Sequence, residues 1–200
     1  MSSGIIDEPM NPIEDLKKVI REPQCSPGQV SKAISRIFGV RSTEVGLLFR
    51  HEYFLRFLFP VELQAAGSIP LSGSAVAART ATLKRADVFN NFARVPHRSI
   101  FETIKLKDGE APLPIQKLMS APVIGTDGEV VGVVQISRKG DSSREAGPDF
   151  TKENLDKLQT IAALISPYIE KLSRPQPGPA QVTVQPERTN TVTIPISFAS

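Results

Sequence analysis

Residue types that often build a functional site are scarce in this sequence of 200 residues. It contains one cysteine, two histidines and no tryptophan. A single cysteine excludes a disulfide within the chain and any Cys-x-x-Cys motif. A zinc site usually needs three or more His, Cys or carboxylate ligands at motif spacing, and neither His51 nor His97 has such companions. We therefore predict no metal and no cofactor.

The sequence also lacks a strong charge imbalance and a long apolar run. Lysine and arginine total 24 and aspartate and glutamate 21, so the formal net charge is +3. This small, scattered surplus does not favour direct binding to nucleic acid. No run approaches the roughly 20 apolar residues of a membrane span, and the first ten residues do not resemble a signal peptide. We predict a cytoplasmic protein that does not bind membranes.

Recognisable catalytic motifs are absent as well. The sequence has neither a Gly-x-x-x-x-Gly-Lys-Ser/Thr phosphate loop nor a Gly-x-Ser-x-Gly nucleophile elbow. The pair Ser72 and Ser74 is better interpreted as part of a helix cap than as a nucleophile, since neither histidine is close in sequence. We predict that the protein is not an enzyme.

The stretch from Lys117 to Lys139 is the central feature of the chain. It reads as two mostly apolar strands joined by Gly-Thr-Asp-Gly, a sequence that closes a short hairpin. A strand that is apolar on both faces is covered on both faces, so this hairpin should lie in the middle of a layered sheet. Gly132 should allow a neighbouring element to approach its backbone closely.

Periodicity predicts the other elements. The predicted helices span about residues 12–22, 27–38, 72–81 and 151–172. The predicted strands span about residues 44–50, 53–59, 68–71, 85–90, 118–124 and 130–136. Alternation in the second strand places four large side chains on one face: Tyr53, Leu55, Phe57 and Phe59. The proline-rich segment after Ser173 reads as a disordered tail, with strand addition as the alternative.

The ordered set of these pieces resembles the GAF domain family. The resemblance rests on a strand ending in Ala121-Pro122, an Asp-Gly turn, a Gly-Val-Val-Gln strand and a Phe150-Thr151 pair that opens a long helix. It implies an α+β fold, a three-layer α/β/α domain with a central antiparallel sheet of five or six strands. We expect a helical extension over residues 1–25, the GAF domain over 26–173 and the tail over 174–200.

The resemblance also implies a small-molecule pocket covered by a loop. Five residues at the start of that loop offer hydrogen-bond donors: Asn90, Asn91, Arg94, His97 and Arg98. Phe101 and Ser120 would line the pocket floor. The alternative is that the basic residues face water and that the pocket is filled by Phe49, Phe89 and Phe101, which would make the domain a structural adaptor.

Some family activities need residues that this sequence lacks. Chromophore-attaching members have a cysteine inside the domain and the free methionine sulfoxide reductases need several, whereas Cys25 lies outside the expected domain. Of the cyclic-nucleotide motif only Lys139 and Phe150 match. Haem binding through one histidine is a minor alternative. Because GAF modules often pair through terminal helices, we predict a homodimer that binds an unknown small molecule.

Overall fold

The computed structural model describes residues 11–92 and 112–173. These residues form one six-stranded antiparallel sheet with helices on both faces, in the strand order β3-β2-β1-β6-β5-β4. The strands are β1 (Val45–His51), β2 (Phe54–Phe59), β3 (Ser68–Pro70), β4 (Asp87–Phe89), β5 (Ile115–Ile124) and β6 (Val130–Lys139). The helices are α1 (Pro12–Arg21), α2 (Pro27–Phe38), α3 (Val76–Leu83) and α4 (Lys152–Ser173). The predicted α+β fold is confirmed.

Each face of the sheet has its own core. Helices α1, α2 and α4 cover one face, here called the helix face, and bury side chains such as Leu16, Ile34 and Ile165 with it. Helix α3 and the adjoining connections cover the other, here called the α3 face. Strands in the middle of the sheet are therefore apolar on both sides.

The predicted central hairpin is confirmed, because β5 and β6 lie in the middle of the sheet and pair along most of their length. Gly128 has a φ of 80° and donates its N–H to the Gly125 carbonyl, which closes the turn. Pro122 is tolerated in an inner strand because β4 pairs only with residues 118–120 of β5, so its missing N–H interrupts no β4–β5 bond.

Both N-terminal helices begin with the predicted caps. The Asn11 side chain accepts from the Ile13 N–H, and Ser26 and Gln29 form a reciprocal capping box. Helix α1 packs against α2 and α4 of its own chain, and Leu16 is fully buried there. The apolar stripe of α1 thus has a partner within its own chain.

The structure corrects the start of the third helix. Helix α3 begins at Val76 rather than near Ser72, and its N-cap residue, Ala75, supplies no side-chain hydrogen bond. The Gly73 N–H instead donates to the Pro70 carbonyl, so this segment forms a turn that ends β3. Local capping signals predicted the helix but not the turn that precedes it.

The structure also corrects the face assignment in β2. The pairing of β1 with β2 shifts between Leu47 and Leu48, where Leu47 lies opposite Phe59 and Leu48 opposite Phe57. Because of this irregularity, Phe57 joins the α3-face core whereas Phe59 packs on the helix face. A strict two-residue alternation had placed both on one face.

Some predictions fall outside the described residues. They concern most of the loop after β4, including Arg94, His97, Arg98 and Phe101, and the tail over 174–200. The domain boundaries proposed above stay predictions.

Candidate functional site

A small polar cluster is buried within the apolar α3 face. The surrounding apolar side chains come from the sheet and α3: Leu48, Leu55, Phe57, Leu118, Val133, Val76, Ala77 and Ala81. Among them lie Thr80 of α3, Ser120 of β5 and Gln135 of β6, which are 2%, 0% and 6% exposed. Ser120 and Gln135 are cross-strand partners, and α3 lies over them.

The three side chains form a continuous hydrogen-bonded chain. Gln135 Nε2 donates to Ser120 Oγ over 3.2 Å, and the hydroxyl oxygens of Ser120 and Thr80 are 2.7 Å apart. Thr80 also donates to the Val76 carbonyl over 2.8 Å. One hydroxyl carries one proton, so with Thr80 donating to Val76, Ser120 donates to Thr80. Each of the two hydroxyl protons therefore has an acceptor within the protein.

Asn90, at the end of β4, is hydrogen-bonded to the start of α4. Its Nδ2 donates to the Phe150 carbonyl over 3.0 Å, and its Oδ1 accepts from the Phe150 N–H over 2.9 Å. Both polar atoms of the amide are therefore occupied. We interpret Asn90 as a connection between β4 and α4 rather than as a free donor in a pocket.

The structure does not bring the predicted site residues together within its described part. Ser120 lies under α3, Asn91 is exposed, and Asn90 is bonded to Phe150. Thr80 and Gln135 were missed as site candidates. The single polar residue in an otherwise apolar strand marked Gln135, but nothing in the sequence distinguished Thr80.

Two basic residues of the central hairpin strengthen the connection to α4. Lys117 is 3% exposed, and its Nζ donates to the Gly147 carbonyl over 2.5 Å and lies 2.7 Å from Asp149 Oδ1. The Arg138 guanidinium lies 4.9 Å from the centre of the Phe150 ring. Burial lowers the pKa of Arg138, and the nearby Glu44 carboxylate acts in the opposite direction.

Replacing Asn90 with alanine should destabilise the domain by about 1–3 kcal/mol, because two backbone groups of Phe150 lose their partner. Urea unfolding followed by circular dichroism would measure the loss. Asn91→Ala is the matched control, since Asn91 is exposed, and its effect should stay within about 0.5 kcal/mol. Equal effects of the two variants would contradict the connecting role of Asn90.

The remaining candidate groups form no metal-binding cluster in the described part of the chain. No cluster of three or more His, Cys, Asp or Glu residues occurs there that could hold a metal ion. His51 is exposed at the end of β1. Burial, with a smaller contribution from Glu22, raises the pKa of the Cys25 thiol and so disfavours its nucleophilic form. None of the helices within 11–92 and 112–173 is suited to crossing a membrane.

The fold places the chain in the α+β class, and sequence comparison identifies its family. The profile described as GAF domain matches residues 29–169, which is well over half of the chain. The chain therefore belongs to the GAF domain family, a family of signalling and sensory domains. Comparison with curated proteins gave no significant match.

Solved structures of GAF domains have the same fold. The chain is similar to the GAF domain of an Acinetobacter phosphoenolpyruvate-protein phosphotransferase, with a TM-score of 0.56, 14% identity and coverage of 80% of this chain and 93% of that one. It is also similar to the A. aeolicus nlh2 GAF domain in an inactive state, with a TM-score of 0.56, 16% identity and coverage of 82% of this chain and 96% of that one. A third similar structure is the type II free methionine-R-sulfoxide reductase of Thermoplasma acidophilum, with a TM-score of 0.50, 19% identity and coverage of 78% of this chain and 96% of that one. Such identities establish the fold alone.

Proposed function

We propose that this GAF domain is a non-catalytic sensor. A small molecule would bind between the α3 face of the sheet and the loop after β4, and its presence would be relayed to the terminal helices. The domain would act as a cytoplasmic homodimer, without direct contact with nucleic acid or membrane.

The observation that carries the proposal is the buried chain of Thr80, Ser120 and Gln135. A ligand pocket typically has mostly apolar walls and a few convergent polar groups, which fix the orientation of the ligand. The α3 face provides such walls, and the cluster provides two hydroxyls and an amide. A ligand with hydrogen-bonding groups could replace the bonds within the cluster without leaving these polar atoms unpaired.

The relay would use contacts just after the last residue of β4 and near the first residue of β5. Asn90 lies two residues before Phe92, which packs in the α3-face core, and its amide is bonded to the start of α4. A ligand that displaces Phe92 would thus pull on the residues that lead into α4. Lys117, bonded to Gly147 and paired with Asp149, would stabilise the same junction.

The second candidate is a structural adaptor without a ligand, and a specific observation favours it. Both hydroxyls of the polar cluster are hydrogen-bonded within the protein without a ligand. Phe89 and Phe92 also pack edge to face on this side, with ring centres 6.1 Å apart. Phe49 does not add to this filling: it was expected to help fill the pocket, but it lies on the helix face.

Catalysis by thiol chemistry has little support. One structural neighbour is named as a methionine sulfoxide reductase, but this chain has one cysteine. Cys25 lies between α1 and α2 and packs against the helix-face core, on the opposite side of the sheet from the polar cluster. The thiol is therefore not placed to act on a molecule bound under α3.

A thermal-shift screen over cyclic nucleotides, amino acids, 2-oxo acids and haem tests the sensor proposal. A ligand present at about 100 times its Kd should raise the Tm by roughly 5–10 °C, because it binds the folded state alone. Ser120→Ala should reduce this shift, since it removes the middle of the polar cluster.

Ser166→Ala is the matched control for that variant. Its hydroxyl is also mostly buried, but it donates to the Ile124 carbonyl from α4 on the helix face. It should leave the ligand-induced shift unchanged. If no compound raises the Tm, or if both variants respond to a ligand alike, the adaptor is the better description.

A further inference from the structure

A second candidate site lies at the edge of the sheet. A cavity of about 410 Å³ opens beside β2, and six of its lining residues carry the argument below: Phe49, Arg56, Phe57, Leu58, Gln64 and Ser68. Neither Ser120 nor Gln135 lines it. Its volume falls in the range of small-molecule sites in proteins.

The cavity exists because β3 covers β2 incompletely. Strand β3 pairs with residues 54–56 of β2, so the last residues of β2 have no strand on their outer side. The connector Val61–Ala66 folds back over this gap, anchored by the fully buried Leu63. Gly67, with a φ of 104°, then turns the chain into β3.

Arg56 supplies the positive charge of the cavity. It lies directly opposite Phe49 in the β1–β2 pairing, so the two side chains share a face of the sheet. The backbone of Arg56 is paired within the sheet, but its exposed side chain makes no hydrogen bond or ion pair with any residue of the described ranges. Its forked donors therefore have no counter-ion within 11–92 and 112–173.

The rest of the lining is divided between polar and apolar groups. Gln64 Nε2 donates to the Leu58 carbonyl over 2.9 Å, which orients the amide of this lining residue. Ser68 adds a hydroxyl. The Phe49 ring and the Leu58 side chain provide an apolar wall, and both are packed against the helix-face core.

We propose that this edge cavity binds a small monocarboxylate with a short apolar body. A carboxylate matches the two parallel donors of one guanidinium, and the apolar wall favours a ligand with an apolar body over inorganic phosphate. The apolar body would lie against Phe49 and Leu58. This site is separate from the one under α3 and does not depend on the sensor proposal.

The test is a titration of the ¹⁵N-labelled chain with hexanoate, followed by amide chemical shifts. We expect saturable changes centred on Arg56, Leu58 and Ser68, with a Kd on the order of 1 mM. 1-Hexanol has a similar apolar body but no charge, and it should bind at least about tenfold more weakly.

Two variants locate the interaction. Arg56→Gln should weaken hexanoate binding about tenfold by removing the forked cation. Gln64→Glu should weaken it at least as much, because the new carboxylate would repel the ligand or pair with Arg56. Arg79→Gln is the matched control: Arg79 is also an exposed arginine, it lies on α3 away from the cavity, and its loss should leave the Kd unchanged.

Several results would overturn the proposal. They are equal binding of hexanol and hexanoate, equal effects of Arg56→Gln and Arg79→Gln, and no saturation with hexanoate at tens of millimolar. Shifts centred on Ser120 and Gln135 would also overturn it, and they would point to the site under α3. Failure of every ligand at that other site would leave the present proposal unaffected.

Discussion

Gly132→Ala is expected to destabilise the domain by about 3 kcal/mol or more, a large share of the roughly 5–15 kcal/mol that is typical of folded domains. A Cβ at this position would overlap the backbone carbonyl oxygen of Leu48 on the neighbouring strand and lie 3.0 Å from Ile169 Cγ2 of α4. The carbonyl belongs to the pairing of β1 with β6, so it cannot move without breaking that ladder. Either the pairing of β1 with β6 or the packing of α4 on the sheet must therefore change.

Chemical unfolding of the two alanine variants Gly132→Ala and Gly28→Ala would test this expectation. A Cβ on Gly28 would meet Phe59 Cε2 at 3.8 Å, an ordinary contact, and Gly28 lies within α2. Alanine is favoured over glycine in a helix by up to about 1 kcal/mol, so this control should be neutral or stabilising. A Gly132→Ala variant as stable as the parent would show that the close packing of β1, β6 and α4 is not required.

Leu16→Ala is expected to cost about 2–5 kcal/mol of folding free energy. Leu16 is the fully buried residue of α1, enclosed in the helix-face core between α2 and α4. Truncation removes apolar contacts and leaves a cavity that the packed helices can fill only in part. The effect should be independent of protein concentration, since the contacts are made within one chain.

The concentration dependence separates packing within the chain from packing between chains. Melting curves of the parent and the variant would be recorded over a hundredfold range of protein concentration. Lys18→Ala on the exposed side of the same helix is the control, and it should change stability by no more than about 0.5 kcal/mol. A Leu16→Ala effect that grows or vanishes with concentration would indicate that α1 packs against a second copy.

Much of the fold could be predicted because local pattern and tertiary environment agree. Apolar residues on both faces of β5 and β6 require layers on both sides, and the sheet order provides them. Gly132 was predicted to permit a close approach, and Leu48 and Ile169 make that approach. The caps of α1 and α2 depend on residues a few positions apart, which the sequence displays directly.

Predictions were wrong where a competing contact overrode the pattern that was used. The irregular pairing near Leu48 moved Phe59 to the other face of the sheet, and alternation within β2 cannot reveal the register of β1. The turn that ends β3 replaced the expected start of α3. In the first case the deciding partner lies in β1, outside the strand that was interpreted. In the second case it is the Pro70 carbonyl, three residues before Gly73.

For the candidate site as well, the sequence showed some features and the tertiary structure decided others. The chemical types of Asn90 and Ser120 were visible in the sequence, but their partners, Phe150 and Thr80, are 60 and 40 residues away. The sequence by itself determined the apolar layers, the central hairpin and the scarcity of groups for metal or thiol chemistry. Only the tertiary structure decided which polar side chains are bonded to one another, because a hydrogen bond depends on the distance between two atoms and not on the separation of residues along the chain.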